Sequence, residues 1–228
     1  MMAEKKKTYY KAYDDRYRQV HRENLQWFSN EPSLIVSEVI ANFNIGKTAK
    51  IIEIGCGEGR DAGYLLSQGY HVLATDVSDE AVSFCRKMFP KYADRFRVLD
   101  CIMDSLDERF NFVYAVAVLH MLVLDEDRCG FYRFIHEHLT HDGVALIGTM
   151  GDGSFERQSD VSSAFELQKR THEASGKMLE IAGTSCRMVS FETFRRELEE
   201  NGLAIIKQGM TAVEPDFPVM MYAVVKRG

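Results

Sequence analysis

Short continuous apolar runs alternate along the chain with stretches in which apolar residues recur every three or four positions. From residue 49 the runs AKIIEI (49–54), YHVLATD (70–76), FRVLD (96–100), FNFVYAVAVL (110–119) and VALIGTM (144–150) read as strands. The fourth is apolar throughout, as a strand buried on both faces is. Helical stretches lie between them. One passes through Leu65 and Leu66 and stops at Gly69; one runs from Ser78 to near Met88 and is halted by Pro90; one covers 126–139 and is closed by Thr140-His141-Asp142-Gly143. Ser78 suits an N-cap, with Asp79 and Glu80 in the first turn. Ser190 caps a further helix that ends at Asn201-Gly202, and LAIIKQG (203–209) and VMMYAVVKR (219–227) close the chain as strands.

This alternation predicts an α/β fold, a Rossmann-like doubly wound sheet of seven strands. The last two strands are joined only by residues 210–218, which contain Pro215 and Pro218. No crossover helix fits there, so the sheet is mostly parallel with an antiparallel last strand. Upstream, Tyr10, Tyr13, Tyr17, Val20, Asn24 and Trp27 form a helical stripe over 8–28, and Pro32 suits the first turn of a second helix, Ser33–Asn42. Residues 151–189 interrupt the alternation after the fifth strand; they are polar, with a helical stretch expected near 160–175. An insertion at the carboxyl end of such a strand faces the ligand cleft. One domain is expected: a helical cap (1–45), a cofactor-binding core (46–150), a substrate-facing insert (151–189) and a terminal helix with two strands (190–228).

Composition narrows the function classes. With 228 residues, 46% hydrophobic and 27% charged, the chain is an ordinary globular one, which excludes wholesale disorder. A net charge of −6 argues against non-specific coating of nucleic acid. The charge is uneven: residues 1–22 hold seven Lys/Arg against three acids. That basic start reads as a solvated helix face, or as a tether to an RNA or protein partner. The five cysteines are odd in number and form no CxxC, so neither a disulfide framework nor a thiolate zinc site is indicated. His136, His138 and His141 near a helix C-terminus suit its dipole better than a metal, and no metal is expected. The start lacks an apolar signal core, and no apolar run approaches the roughly 20 residues of a membrane span. A soluble protein of a reducing cytoplasm, monomeric or homodimeric, is expected.

The chemistry concentrates in Glu53-Ile54-Gly55-Cys56-Gly57-Glu58-Gly59-Arg60-Asp61, between a strand and a helix, where doubly wound sheets bind ligands. The spacing is G-x-G-x-G, and Arg60 stands where a dinucleotide fingerprint has its third glycine. Glu58 and Asp61 at the helix start suit a cation better than a pyrophosphate. Asp76 ends the second strand, where an acid accepts both ribose hydroxyls. Asp100, followed by Cys101, ends the third, where an acid accepts from an exocyclic adenine amine. Carboxylates at three successive strand ends describe a nucleoside joined to a cationic group, and S-adenosylmethionine is such a molecule.

With these residues in view, the sequence resembles the class I S-adenosylmethionine-dependent methyltransferases. EIGCGEGRD matches their first motif, TDVS carries their ribose acid, FNFVYAVAVLHML looks like the fourth motif and HDGVALIG like the fifth-strand entry. The likeness covers residues 45–150 strongly and the terminal αββ unit weakly, and is strongest to the small-molecule branch that includes tellurite- and thiopurine-modifying enzymes. It implies that Gly55, Gly57 and the backbone around Cys56 line the methionine part, with Glu53 and Asp61 beside the cationic cofactor. It implies also that Asp76 and Val77 hold the ribose, that Asp100 and Cys101 frame the adenine, and that Ala117 offers its carbonyl to the ammonium. By the same resemblance Tyr17 and Trp27 close the N-terminal helix over the cofactor; core packing is the other reading of both.

Methyl transfer is displacement at a carbon already activated by sulfonium, so a general base is optional. Candidates are His120, which follows the fourth strand, and Asp152, Glu156 and His172 in the insert. His120 reads equally as a satisfied core histidine. The Asn/Asp-Pro-Pro-aromatic motif of nucleic-acid amine methylation is absent, for the place reads Ala117-Val118-Leu119-His120. Acids at the fourth-strand end, needed for metal-assisted O-methylation, are absent too. A small organic acceptor methylated at N, O or S is therefore expected. The alternatives are an RNA- or protein-directed methyltransferase using the basic N-terminal helix, and a cofactor-binding module without catalysis.

Overall fold

The computed structural model describes residues 8–228 apart from residues 28, 30 and 173. Its centre is a seven-stranded sheet. In chain order the strands are β1 (Lys50–Ile54), β2 (His71–Asp76), β3 (Phe96–Val98), β4 (Phe110–Val116), β5 (Leu139–Met150), β10 (Leu203–Val213) and β11 (Phe217–Arg227), laid side by side as β10-β11-β5-β4-β1-β2-β3. β1, β2, β3, β4 and β5 pair in parallel. β11 runs antiparallel to both β5 and β10, so the reversed strand lies one place in from the edge. A short proline-containing link permits that reversal, as the sequence predicts.

Alternation along the strands builds two cores. Ile52, Ile54, Val113, Ala115 and Ile147 face α5 (Asp125–His138) and α6 (Phe191–Glu200), where Phe131, Ile135, Phe194 and Leu198 meet them. Ile51, Phe112, Tyr114 and Leu146 face the other way, against α2 (Leu34–Asn42), α3 (Arg60–Ser67) and α4 (Asp79–Met88). Ser78 caps α4 by accepting from Ala81 N, and Ser190 caps α6 by accepting from Thr193 N.

Three expectations are corrected. The helix expected over 8–28 is a single 3₁₀ turn (Tyr9–Lys11) followed by α1 (Ala12–Arg22); Asn24 at φ +55° ends it, since asparagine tolerates the left-handed conformation that reverses a helix end. Of the helix expected near 160–175, the described residues form only a 3₁₀ turn, Val161–Ser163. The insert instead forms two small antiparallel sheets, β6 (Arg157–Gln158) with β9 (Arg187–Met188) and β7 (Leu167–Thr171) with β8 (Met178–Ala182). Leu179 and Ile181 alternate inward onto Val20 of α1, and Gly176 at φ +67° serves the turn, a period of two that outweighs local helix propensity. Finally, Thr140–Gly143 do not end α5 but open β5, which starts at Leu139, level with Phe110. Among the described residues, no helix is long and apolar enough to cross a membrane.

Candidate active site

β1 delivers Glu53 and Ile54 to a loop whose three glycines hold the left-handed backbone, Gly55 at φ +72°, Gly57 at +51° and Gly59 at +82°. A Cβ on Gly55 would stand 2.4 Å from Val118 Cγ2, and one on Gly57 would stand 2.8 Å from the Tyr17 hydroxyl. The loop is pinned from the next strand: Cys56 N donates to Thr75 O (2.8 Å) and Gly57 N to Asp76 Oδ2 (2.8 Å).

Asp76 also accepts from Ser78 N through Oδ1 (2.8 Å). Burial pushes its carboxyl up to about 6, although the N–H donors of Ser78 and Gly57 pull the other way. Glu53 is buried, and its Oε2 has no hydrogen-bond partner among the described residues; burial and the neighbouring Asp61 carboxylate hold its pKa well above the usual range. Asp61 itself accepts from Ser33 N (2.6 Å) and Oγ (2.8 Å), so it ties the start of α2 to the loop. Beyond β3, the Asp100 carboxylate accepts from Tyr10 Oη (3.2 Å) and Ile102 N (3.2 Å) and pairs with Lys11 Nζ (3.0 Å). At the end of β4, Ala117 is held at φ +61°, a strained conformation for a residue with a Cβ, while its N donates to Gly148 O (2.9 Å).

These groups line two adjoining clefts that share Gly55 and Asp76. One, of about 430 Å³, is bounded by Asp76, Val77, Asp100, Cys101, Val118 and Tyr10. The other, of about 590 Å³ with its mouth, is bounded by Glu53, Gly55, Cys56, Gly57, Asp61 and Ala117, under Tyr13 and Tyr17. Every expected cofactor-site residue except Trp27 lies in one lining or the other. The Trp27 ring instead stacks on the Arg16 guanidinium (4.9 Å) and packs against the Val20–Leu179–Ile181 cluster, because α1 ends before it. The structure adds Tyr10, Tyr13, Arg60, Met121 and Phe217. The two tyrosines lie on the stripe visible in the sequence; Phe217 arrives on β11 from far along the chain and carries no local signal.

His120 sits in the 3₁₀ turn Leu119–Met121, buried, its ring edge-on to Phe217 at 5.8 Å. Of the insert candidates, Glu156 accepts from Ser190 Oγ (2.6 Å) and Thr193 Oγ1 (2.7 Å) at the start of α6, and Asp152 binds Ser154 and Phe155 N–H groups within its own turn. His172 bridges Gln26 O (2.6 Å) and Ser175 Oγ (2.7 Å). All three are spent on structure.

α1 roofs the site. Asp14 accepts from Ser78 Oγ (2.7 Å) and Glu80 N (3.0 Å), and Arg16 donates to Ala182 O (3.0 Å) on β8. His21 lies between two carboxylates, Nε2 2.9 Å from Glu58 Oε1 and Nδ1 2.8 Å from Glu80 Oε1, with Phe84 stacked at 4.4 Å. Burial alone would lower its pKa, but hydrogen bonds to Glu58 and Glu80 and their charges outweigh it and the net shift is upward. A raised histidine pKa stabilises the folded state below the unfolded value and stops doing so as pH climbs through the folded one. The stability difference between the native chain and His21→Gln is therefore expected to be largest near pH 6 and to shrink above neutrality, read from melting temperatures across pH.

The donor set matches a cationic adenosyl ligand. A buried carboxylate oxygen with no hydrogen-bond partner among the described residues and a glycine cradle with no room for a side chain adjoin a second cleft with acids at two strand ends.

Comparison with known proteins agrees. A family described as a methyltransferase domain matches residues 18–208. The chain is 25% identical over 119 residues to a ubiquinone biosynthesis O-methyltransferase of Rickettsia prowazekii, covering 51% of this chain and 46% of that protein. It is 24% identical over 118 residues to the probable S-adenosyl-L-methionine-dependent methyltransferase TehB of Haemophilus influenzae, covering 50% and 40%. The matches thus span less than half the length of these relatives. Among solved structures, an S-adenosylmethionine-dependent methyltransferase from Clostridium acetobutylicum superposes with TM-score 0.66 at 15% identity, over 96% of this chain and 99% of that one. The Burkholderia thailandensis 1,6-didemethyltoxoflavin-N1-methyltransferase gives 0.69 at 15%, over 95% and 87%. These likenesses establish the shared fold, and the family match, which takes in most of the chain, establishes that the protein belongs to the S-adenosylmethionine-dependent methyltransferase family.

Proposed function

We propose that this chain transfers the methyl group of S-adenosylmethionine to a small organic acceptor at N, O or S by direct in-line displacement. One observation carries the reading: Asp76 and Gly55 stand at the junction of two clefts, with Asp100 in one and Glu53 in the other. In this reading Asp76 holds the ribose hydroxyls, and Asp100 and Cys101 frame the adenine. Gly55, Gly57 and Glu53 take the methionine end. The bound cofactor supplies a methyl carbon already activated by the adjoining sulfonium. The protein's part is to fix the acceptor in line and exclude water, which Tyr13 and Tyr17 overhead and the apolar Val116 and Met121 favour.

The described part of the basic start favours a small acceptor over a macromolecular one: Lys11 pairs with Asp100, Arg16 donates to Ala182 O, and Arg18 pairs with Asp14 and Asp15. Arg22 is exposed, and Lys5, Lys6 and Lys7 lie outside the described residues. The relatives named for ubiquinone biosynthesis and didemethyltoxoflavin methylation also act on small molecules by their names.

The test is methyl-labelled S-adenosylmethionine with cell extract separated into small-molecule, RNA and protein fractions. Label is expected in the small-molecule fraction. Label confined to RNA or protein would overturn the reading of the acceptor.

A further inference from the structure

We propose that α1 and the strands β7 and β8 form one lid over the two clefts, latched by His21 in its imidazolium form, so that the latch closes in acid and releases in base. This rests on the assignment of the clefts to S-adenosylmethionine.

The lid has an apolar core of its own and a polar seam. Val20 of α1 packs with Leu179 and Ile181 of β8, and Leu25 and Trp27 close that cluster, which stands apart from the two cores of the sheet. The backbone of β8 is bound to the same helix: Arg16 Nη2 donates to Ala182 O (3.0 Å), and Ala182 N donates to Gln19 Oε1 (2.6 Å). Helix and strands therefore move as one piece. Towards the glycine loop and α4, the hydrogen bonds of α1 come from two side chains. Asp14 accepts from Ser78 Oγ (2.7 Å) and Glu80 N (3.0 Å), and His21 meets Glu58 and Glu80. Hydrogen bonds are exchanged for water at small net cost, whereas parting an apolar cluster exposes its whole surface. The seam is thus where the piece leaves the body. It has reason to leave. Tyr13 and Tyr17 of α1 line the larger cleft, and the Tyr17 hydroxyl lies so close over Gly57 that a Cβ there would stand 2.8 Å from it. A ligand passes only when this roof lifts.

His21 is the member of the seam that changes charge near neutrality. Its Nε2 is 2.9 Å from Glu58 Oε1 and its Nδ1 is 2.8 Å from Glu80 Oε1. An ionised carboxylate only accepts, so both contacts are hydrogen bonds only when both ring nitrogens carry hydrogen, as in the imidazolium. Charge-assisted bonds of this kind are the strong ones. The neutral ring keeps one N–H and turns a lone pair towards the other carboxylate. Among the described residues the charges that act on the ring are those of Glu58 from the glycine loop and Glu80 from α4; Phe84 of α4 stacks on it at 4.4 Å, and Tyr17 of its own helix lies at 6.0 Å. Trp27 N donates to the same Glu58 oxygen (2.8 Å), so the chain leaving α1 meets the latch too. The two carboxylates outweigh burial and hold the ring protonated above the ordinary histidine value, and the latch is lost as pH climbs through that raised value. His21 and Glu80 lie outside both cleft linings. The latch therefore governs passage in both directions, not the contacts of a bound ligand.

The experiment uses the full chain and S-adenosylhomocysteine, with association and release rates read by surface plasmon resonance from pH 6.5 to 8.5. Both rates of the native chain are expected to rise about fivefold or more over that range, with Kd constant within about twofold. His21→Gln, which cannot donate to two carboxylates through two ring nitrogens, is expected to show the fast rates at every pH. His21→Arg, a permanent cation with a fork of donors, is expected to show the slow ones. Amide exchange at pH 8 reads the lid itself: α1 and β8 are expected to exchange faster, and together, in His21→Gln than in His21→Arg, with β1 and β4 unchanged. Native rates that stay flat with pH, variants that keep the native pH dependence, a change carried by Kd alone, or α1 loosening without β8 would overturn the proposal. The native profile decides even where a variant does not fold. Failure of S-adenosylhomocysteine to bind at any pH would instead sink the cofactor assignment beneath it.

Discussion

Asp76→Ala is expected to weaken S-adenosylhomocysteine binding by about 3 kcal/mol, roughly a hundredfold or more in Kd. The carboxylate is buried where the two clefts meet, and a hydrogen bond to a charged group contributes about 1.5–3 kcal/mol, with two ribose hydroxyls to hold. The same oxygens fix Gly57 N and Ser78 N, so the variant also loosens the glycine loop and is expected to melt earlier. Asp76→Asn keeps one acceptor oxygen and should fall between. The pH dependence has a defined sign. Burial raises the Asp76 pKa from its ordinary 3.8 to about 6, so this group favours the folded state less as pH climbs through that window. Ligand binding needs the ionised form and therefore strengthens over the same window. Calorimetric titration at pH 5, 6 and 7 is expected to show a falling Kd for the native chain and a flat one for Asp76→Ala. An unchanged Kd in the variant would remove Asp76 from the site.

Gly55→Ala is expected to destabilise the fold by about 2–4 kcal/mol and to abolish cofactor binding, from backbone strain of about 1 kcal/mol and overpacking of about 1–3 kcal/mol. The backbone at φ +72° is one that alanine adopts only with strain, and the new Cβ would stand 2.4 Å from Val118 Cγ2, far inside contact distance. Relief requires Val118 to move into the adenosine-side cleft that it lines, so strain and loss of binding have one origin. Gly46→Ala is the control, since nothing stands within 4 Å of a Cβ there. Denaturant melts should separate the two variants clearly. A stable Gly55→Ala that binds normally would show that the loop relaxes freely and is not a cradle.

The central strands were legible because they are buried on both faces, and such strands write themselves as apolar runs; Phe112–Val116 of β4 shows it most plainly. Asp76 and Asp100 were legible for a related reason: each ends a strand, so register alone brings them to one edge. The insert was not, because Leu167–Thr171 is polar and Met178–Ala182 is only five residues long, and they become strands by pairing with each other and docking on α1. Trp27 shares the spacing of Tyr17, and periodicity alone does not show that Asn24 ends the helix between them. Phe217 reaches the mouth through the pairing of β11 with β5, a contact across more than sixty residues that no local pattern encodes. The Tyr10 and Lys11 contacts to Asp100 likewise exist only once the roof has folded down.

Whether the paired clefts take S-adenosylmethionine is read from the melting temperature of the full chain with S-adenosylmethionine, S-adenosylhomocysteine or NAD, each in large excess. A ligand at a hundred times its Kd stabilises by about 2.7 kcal/mol, which for a chain of this size is about 5–10 °C. Both adenosyl compounds are expected to raise the melting temperature by that amount and NAD to leave it unchanged. A shift with NAD and none with either adenosyl compound would contradict the account.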